Sequence, residues 1–306
     1  MTNTQKPTNR IGPILPLFYI AAPTLAALRS VACIRDMDSA GYFGKSTLIA
    51  ACNIAITILT IIFFTHAFSH QRKDSIPKEC FCNAPTYITS ATLGGGIIFA
   101  IYELVSSLVE EDGRIGSIES NEIIVVVSAI CGVAALAFLL LNALIETKHS
   151  ELKAALGIAS SIFFSTYGMV IHLDSSVAAN MQQRTISILA IVLMAVFMLY
   201  EARIPLGHSR WHSYAAFGCM CALALSYSAI PTLAYYIATG SMIPGTTLIQ
   251  TVLSLAAAAY VTARVSLLAF APEDEVCDLA DSILDMAHRR GAKNASHARV
   301  NNLKEE

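Results

Sequence analysis

The sequence predicts an all-α fold, a polytopic transmembrane helical bundle of eight spans with a short amphipathic helix at its C-terminal end, and three observations predict it. Hydrophobic residues make up 55% of the 306 residues and charged residues 14%, with a mean hydropathy of +0.58. That balance is too apolar for a soluble, disordered or disulfide-stapled secreted chain. The apolar residues gather in blocks of about 20, each long enough to cross a ~30 Å hydrocarbon core as a helix, which satisfies its own backbone there. Most ionised side chains fall between the blocks.

In chain order the spans are expected at Ile14 to Cys33, Thr47 to Phe68, Thr86 to Val109, Ile123 to Ile145, Leu152 to Leu173, Thr185 to Tyr200, Ser213 to Ile237 and Thr246 to Phe270. This divides the chain into an N-terminal segment 1–13, a transmembrane domain 14–270 and a tail 271–306. Lys6 and Arg10 ahead of an apolar run resemble a signal sequence, but the run continues to Ala32 without a small-residue cleavage site, so it reads as an uncleaved first span. Eight crossings put both termini on one side. Of the 20 Lys and Arg residues, 14 then lie on the side of the termini and five on the opposite side, with Arg264 inside the last span. The positive-inside rule makes both termini cytoplasmic, in a bacterial plasma membrane. The basic first loop, Arg29 to Lys45, is the local contradiction; were the first span not to cross, seven would remain and the N-terminus would flip. A cysteine placed at Ser39 is therefore expected to react with an impermeant thiol reagent on intact cells, and protection that disappears on lysis would reject the first crossing.

Pro23, Gly94-Gly95-Gly96 and Pro231 mark places where helices bend or pack closely, because proline removes an internal hydrogen bond and glycine lets backbones approach. A sharper expectation makes them broken helices lining a substrate cavity. Tyr227, Tyr235 and Tyr236 flank Pro231, which points to the seventh helix as a cavity wall. No internal repeat is visible.

Charges at membrane depth cost about 2.5–3.5 kcal/mol each at a helix centre on insertion scales, so those present are paired or face water. Arg29 and Glu103 sit at similar depth in the first and third spans, and a structural ion pair between them is the leading expectation, with a proton- or cation-coupled site at Glu103 as the alternative. Glu201 and Arg264 are level at the cytoplasmic end, where snorkelling to the interface is expected. Asn53, Asn142 and His172 are each expected to make an interhelical hydrogen bond, or for His172 a contact with Asp174.

For metal chemistry the strongest constellation is His66 and His70, spaced to share a helical face, followed by Cys80 and Cys82, with His208 and His212 repeating the spacing on the same membrane side. The C-x-C spacing matches no established zinc site, and no cofactor is implied. The remaining cysteines are scattered and predict no disulfide framework. Tests for enzymes fail. Glu110-Glu111-Asp112-Gly113-Arg114 has the wrong spacing for the paired-glutamate motif of prenyl-endopeptidase-like membrane proteases, and no metalloprotease, nucleophile-elbow or Walker motif is present. Every lysine is placed in a loop or tail, so none is offered for a retinal Schiff base. The two most distinctive stretches, Asp36 to Phe43 and Tyr200 to Gly207, bring no activity with them.

Two function classes follow: a small-molecule or ion transporter, and a non-catalytic sensor, scaffold or regulator acting through its cytoplasmic tail. Nucleic acid is excluded as a partner by the lack of any basic stretch suited to it; the lipid bilayer is the first partner. In the tail, Glu273 to Arg290 reads as an amphipathic helix with Val276, Leu279, Ile283 and Ala287 on one face. Six acidic residues against two arginines leave it at -4. An anionic inner leaflet repels that charge, so the helix is expected to pack on the bundle's own cytoplasmic ends or on a protein partner.

Overall fold

A computed structural model describes residues 14–38, 40–44, 46–69, 84–111, 120–144, 150–173, 181–207 and 210–270. By contact pattern the chain divides into a unit of residues 1–10 and 270–306 and a unit spanning Ile11–Ala269, and the bundle below is the second. The expected tail helix lies outside the described residues.

Eight helices form among the described residues: α1 (Ile14–Asp36), α2 (Thr47–Ser69), α3 (Ala84–Glu111), α4 (Ser120–Leu144), α5 (Ser150–Leu173), α6 (Gln182–Arg203), α7 (Trp211–Thr239) and α8 (Leu248–Phe270). Each is long and apolar enough to cross a membrane. Their hydroxyls remain compatible with that setting because most bond back to a carbonyl one turn earlier, as Thr57 does to Asn53 at 2.7 Å and Ser160 to Leu156 at 2.9 Å. Isoleucines such as Ile54, Ile88 and Ile130 are more than 60% exposed on the outside of the bundle, the surface that lipid covers. The chain is an integral membrane protein built as a polytopic helical bundle.

The centre of the bundle is α7. Of its most apolar stretch 78% is buried, against 17% for α2. Small residues explain this: Ala215, Ala216, Gly218, Cys219, Cys221 and Ala222 are all buried and let α1, α2, α6 and α8 close on it. Helices α3 to α6 pack in sequence order, and α3 returns to α8, where Gly96 lies against the backbone of Leu253.

The expected helix breaks do not occur. Helices α1, α3 and α7 run unbroken through Pro23, Gly94-Gly95-Gly96 and Pro231. Within the glycine triplet Gly96 serves close packing, whereas a side-chain carbon at Gly95 would meet open space. Lys153 also departs from expectation, since it belongs to the first turn of α5 and is buried there.

The first loop is tightly built. Met37 and Phe43 form an antiparallel bridge, and Asp38 Oδ1 accepts the amides of Ala40 at 3.0 Å and Tyr42 at 2.7 Å. Gly41, at φ +84°, allows the reversal and rests against Met181 and Pro244. The Ser46 hydroxyl donates to Asp36 at 2.6 Å and accepts the Ile49 amide, capping α2. This loop therefore shares a membrane face with the chain entering α6 and with the α7–α8 connection, as a bundle in which α1 crosses requires.

Candidate functional site

Three polar centres lie within the bundle, and each differs from what depth along the chain suggested. The first is at the end of the bundle away from the α7–α8 connection, where α6 ends, α7 begins and α8 closes. Arg264 donates to both carboxylate oxygens of Glu201, from Nε to Oε1 at 2.9 Å and from Nη2 to Oε2 at 2.5 Å. The Tyr214 hydroxyl also donates to Oε1, and the guanidinium carbon lies 5.8 Å from the centre of the Tyr260 ring. Glu201 and Tyr214 are wholly buried and Arg264 is 3% exposed. The snorkelling expected of this pair is thus replaced by a sealed, bidentate ion pair, because a planar guanidinium and a carboxylate facing each other satisfy most of one another's hydrogen bonds without water.

The second centre surrounds Arg29, whose expected pairing with Glu103 does not form. Helix α1 packs on α7, so Arg29 is turned toward α6 and α7, wholly buried. Its Nη2 donates to Gln183 Oε1 at 2.7 Å, and the guanidinium lies 4.3 Å from the centre of the Tyr227 ring, a cation–π contact in a desolvated site. Gln183 in turn donates to the Ser228 carbonyl at 3.0 Å and the Thr232 hydroxyl at 2.9 Å. The Tyr227 hydroxyl donates to Asn53 at 2.8 Å, the interhelical bond expected of that asparagine. Among the described residues no carboxylate reaches Arg29, and neutral dipoles with one aromatic face hold the charge.

The third centre is Glu103. It lines a cavity of about 440 Å³ together with Ser107 from α3, Tyr167 from α5, Thr246 and Thr247 from the α7–α8 connection, and Gln250 from α8. Leu104, Val170 and Ile171 supply its apolar wall. Ser107 and Thr247 are exposed at the rim, so the cavity opens on the face that carries the α7–α8 connection. Thr247 caps α8 by accepting the Gln250 amide at 3.1 Å, which holds the connection against the cavity. Glu103 Oε2 accepts a 3.2 Å hydrogen bond from the Tyr167 hydroxyl. Tyr167 is 3% exposed, with its ring stacked on Phe163. No cation pairs with Glu103 among the described residues. Helix α7 forms the core of the bundle and contributes no side chain to this cavity.

Of the metal-ligand candidates, His66 and His212 do come together, at the end of α2 and the start of α7, with ring centres 6.0 Å apart. His70, Cys80, Cys82 and His208 lie outside the described residues, as does Asp174. Among the described residues no group of three or more His, Cys, Asp or Glu side chains is arranged to hold a metal ion. His172 is exposed, and its carbonyl accepts a hydrogen bond from Arg184, which thereby closes the C-terminal end of α5.

Tyr167, Gln250 and Gln183 are the polar residues that sequence reasoning missed. Gln250 carried a usable signal, being an amide inside the expected eighth span, whereas Gln183 fell two residues before the expected start of the sixth. No protein-family model, no curated protein and no solved structure matches the chain, so function is argued from the sites themselves.

Proposed function

We propose that this integral membrane protein is a permease for a small molecule or ion, and that the Glu103 cavity is its binding site on the extracytoplasmic face, with both termini cytoplasmic in a bacterial plasma membrane. One observation carries the reading: a carboxylate at membrane depth opens into a cavity large enough for a solute, with a neutral tyrosine hydroxyl as its partner. A charge kept for stability is sealed with its opposite, as Glu201 is with Arg264; a charge left facing a cavity suits a ligand or a proton. The Glu201–Arg264 pair, tying α6 to α8 at the opposite end, is consistent with a bundle closed on one face and accessible on the other. The proposed role is transport and not catalysis.

Reconstituted into proteoliposomes, the protein is expected to move cationic solutes or protons, and Glu103→Gln is expected to abolish that flux while leaving the melting temperature within about 2 °C, since the substitution keeps the side-chain volume and an acceptor for Tyr167. A large loss of stability in Glu103→Gln would make Glu103 a structural residue and end the permease reading. Binding at the cavity without flux would point to a membrane sensor.

A further inference from the structure

We infer that the Glu103 cavity takes a small organic ammonium ion bearing a hydrogen-bond acceptor, in preference to an inorganic cation or a neutral solute. The inference deepens the permease reading and rests on it for the direction of transport, but not for binding.

Three features of the wall define the ligand. The Glu103 carboxylate is unpaired by any described cation and is half-buried at the cavity, so it accepts a charge-assisted hydrogen bond, roughly twice as strong as a neutral one, from an ammonium group. Gln250 is 5% exposed and lines the same cavity, and its Nε2 finds no hydrogen-bond partner among the described residues. A buried amide donor without an acceptor is an expense that folding alone does not explain, and an acceptor on a bound ligand, reached by a turn of the amide, relieves it. Leu104, Val170 and Ile171 line the same cavity and fit hydrocarbon. An alkali cation instead requires several oxygen ligands gathered at close range, whereas the Glu103 carboxylate has the Tyr167 hydroxyl beside it and the exposed Ser107 and Thr247 hydroxyls lie at the rim. An ammonium with an apolar body and an acceptor matches all three features.

The test uses the full-length protein in nanodiscs and three probes of nearly equal size. Tyramine carries an ammonium and a phenolic oxygen; tyrosol replaces the ammonium with a hydroxyl; phenethylammonium lacks the phenolic oxygen. The wild-type protein is expected to bind tyramine about tenfold more tightly than tyrosol, the difference one charge-assisted hydrogen bond makes. Glu103→Gln is expected to bind the two equally and to melt as the wild type does, with protein-free nanodiscs as the blank for partition into lipid. Tyramine is expected to outbind phenethylammonium in the wild type, with that margin lost in Gln250→Leu. Equal binding of tyramine and tyrosol by the wild type, survival of the tyramine preference in Glu103→Gln, or displacement of tyramine by equimolar sodium would overturn the assignment. Tyramine that binds as expected but is not carried across a proteoliposome membrane would overturn the permease reading and leave the ligand class standing.

Discussion

Replacing Arg264 by Met is expected to destabilise the bundle by about 3–5 kcal/mol, because it leaves the Glu201 carboxylate buried with a tyrosine hydroxyl in place of a counter-charge. Glu201→Gln strands the guanidinium in the same way and is expected to cost a similar amount. The double variant, Glu201→Leu with Arg264→Met, removes both charges together and is expected to recover most of the loss, since a buried pair replaced by apolar groups of similar volume is often neutral. Cys219 and Cys221 supply the readout. Both are fully buried in α7, so in a background with the other six cysteines replaced by alanine their reaction with a thiol-sensitive fluorophore during heating reports when α7 comes apart from its neighbours. Single variants that melt as the wild type does would show that the pair contributes nothing to the fold, and a double variant no more stable than the singles would reject the stranded charge as the source of the loss.

Gly157→Val is the second large effect. A side-chain carbon at Gly157 would lie 2.7 Å from Ala202 Cβ, 2.8 Å from Ala202 Cα and 3.0 Å from Phe138 Cε2. The obstacle is the backbone of α6, which cannot swing away as the end of a long side chain can. Helices α4, α5 and α6 would have to separate, at an expected cost of about 1–3 kcal/mol or more from overpacking. Gly95→Ala is the matched control. It lies in α3 with open space where its side chain would be, so the substitution is expected to stabilise by up to about 1 kcal/mol through helix propensity. A loss of stability at Gly95 comparable to that at Gly157 would contradict the packing described for both helices.

The charges at the two ends of the bundle behave differently for a reason that lies in the packing. Glu201 meets Arg264 because α6 and α8 both touch α7 at the same height, where the small side chains of α7 bring them close. Glu103 has no such neighbour. Its part of α3 faces α5 and the α7–α8 connection, where the wall supplies hydroxyls, an amide and aliphatic carbons rather than a cation. A stabilising pair and an unpaired site thus arise from one packing arrangement at its two ends.

By itself the sequence determined the all-helical class, the eight spans and their limits to within a few residues, because the length and apolarity of each block are set by the bilayer and are properties of consecutive residues. It also placed Arg29, Glu103, Glu201 and Arg264 at membrane depth, though it assigned Lys153 and Arg184, both buried within helices, to loops. Height is one coordinate, however, and partnership needs the rotation of each helix about its axis and its choice of neighbours. Those depended on where small residues allow close approach, above all along α7 and at Gly96 and Gly157. Only the tertiary structure could therefore decide that Arg29 turns to Gln183 and Tyr227 instead of Glu103, that Arg264 seals Glu201 instead of reaching for the interface, and that Tyr167 and Gln250 meet Glu103 around a cavity. Contacts that build the polar centres join residues far apart in the chain, 64 positions for Glu103–Tyr167 and 154 for Arg29–Gln183, and such meetings are written in the packing of whole helices, which no local pattern of residues records.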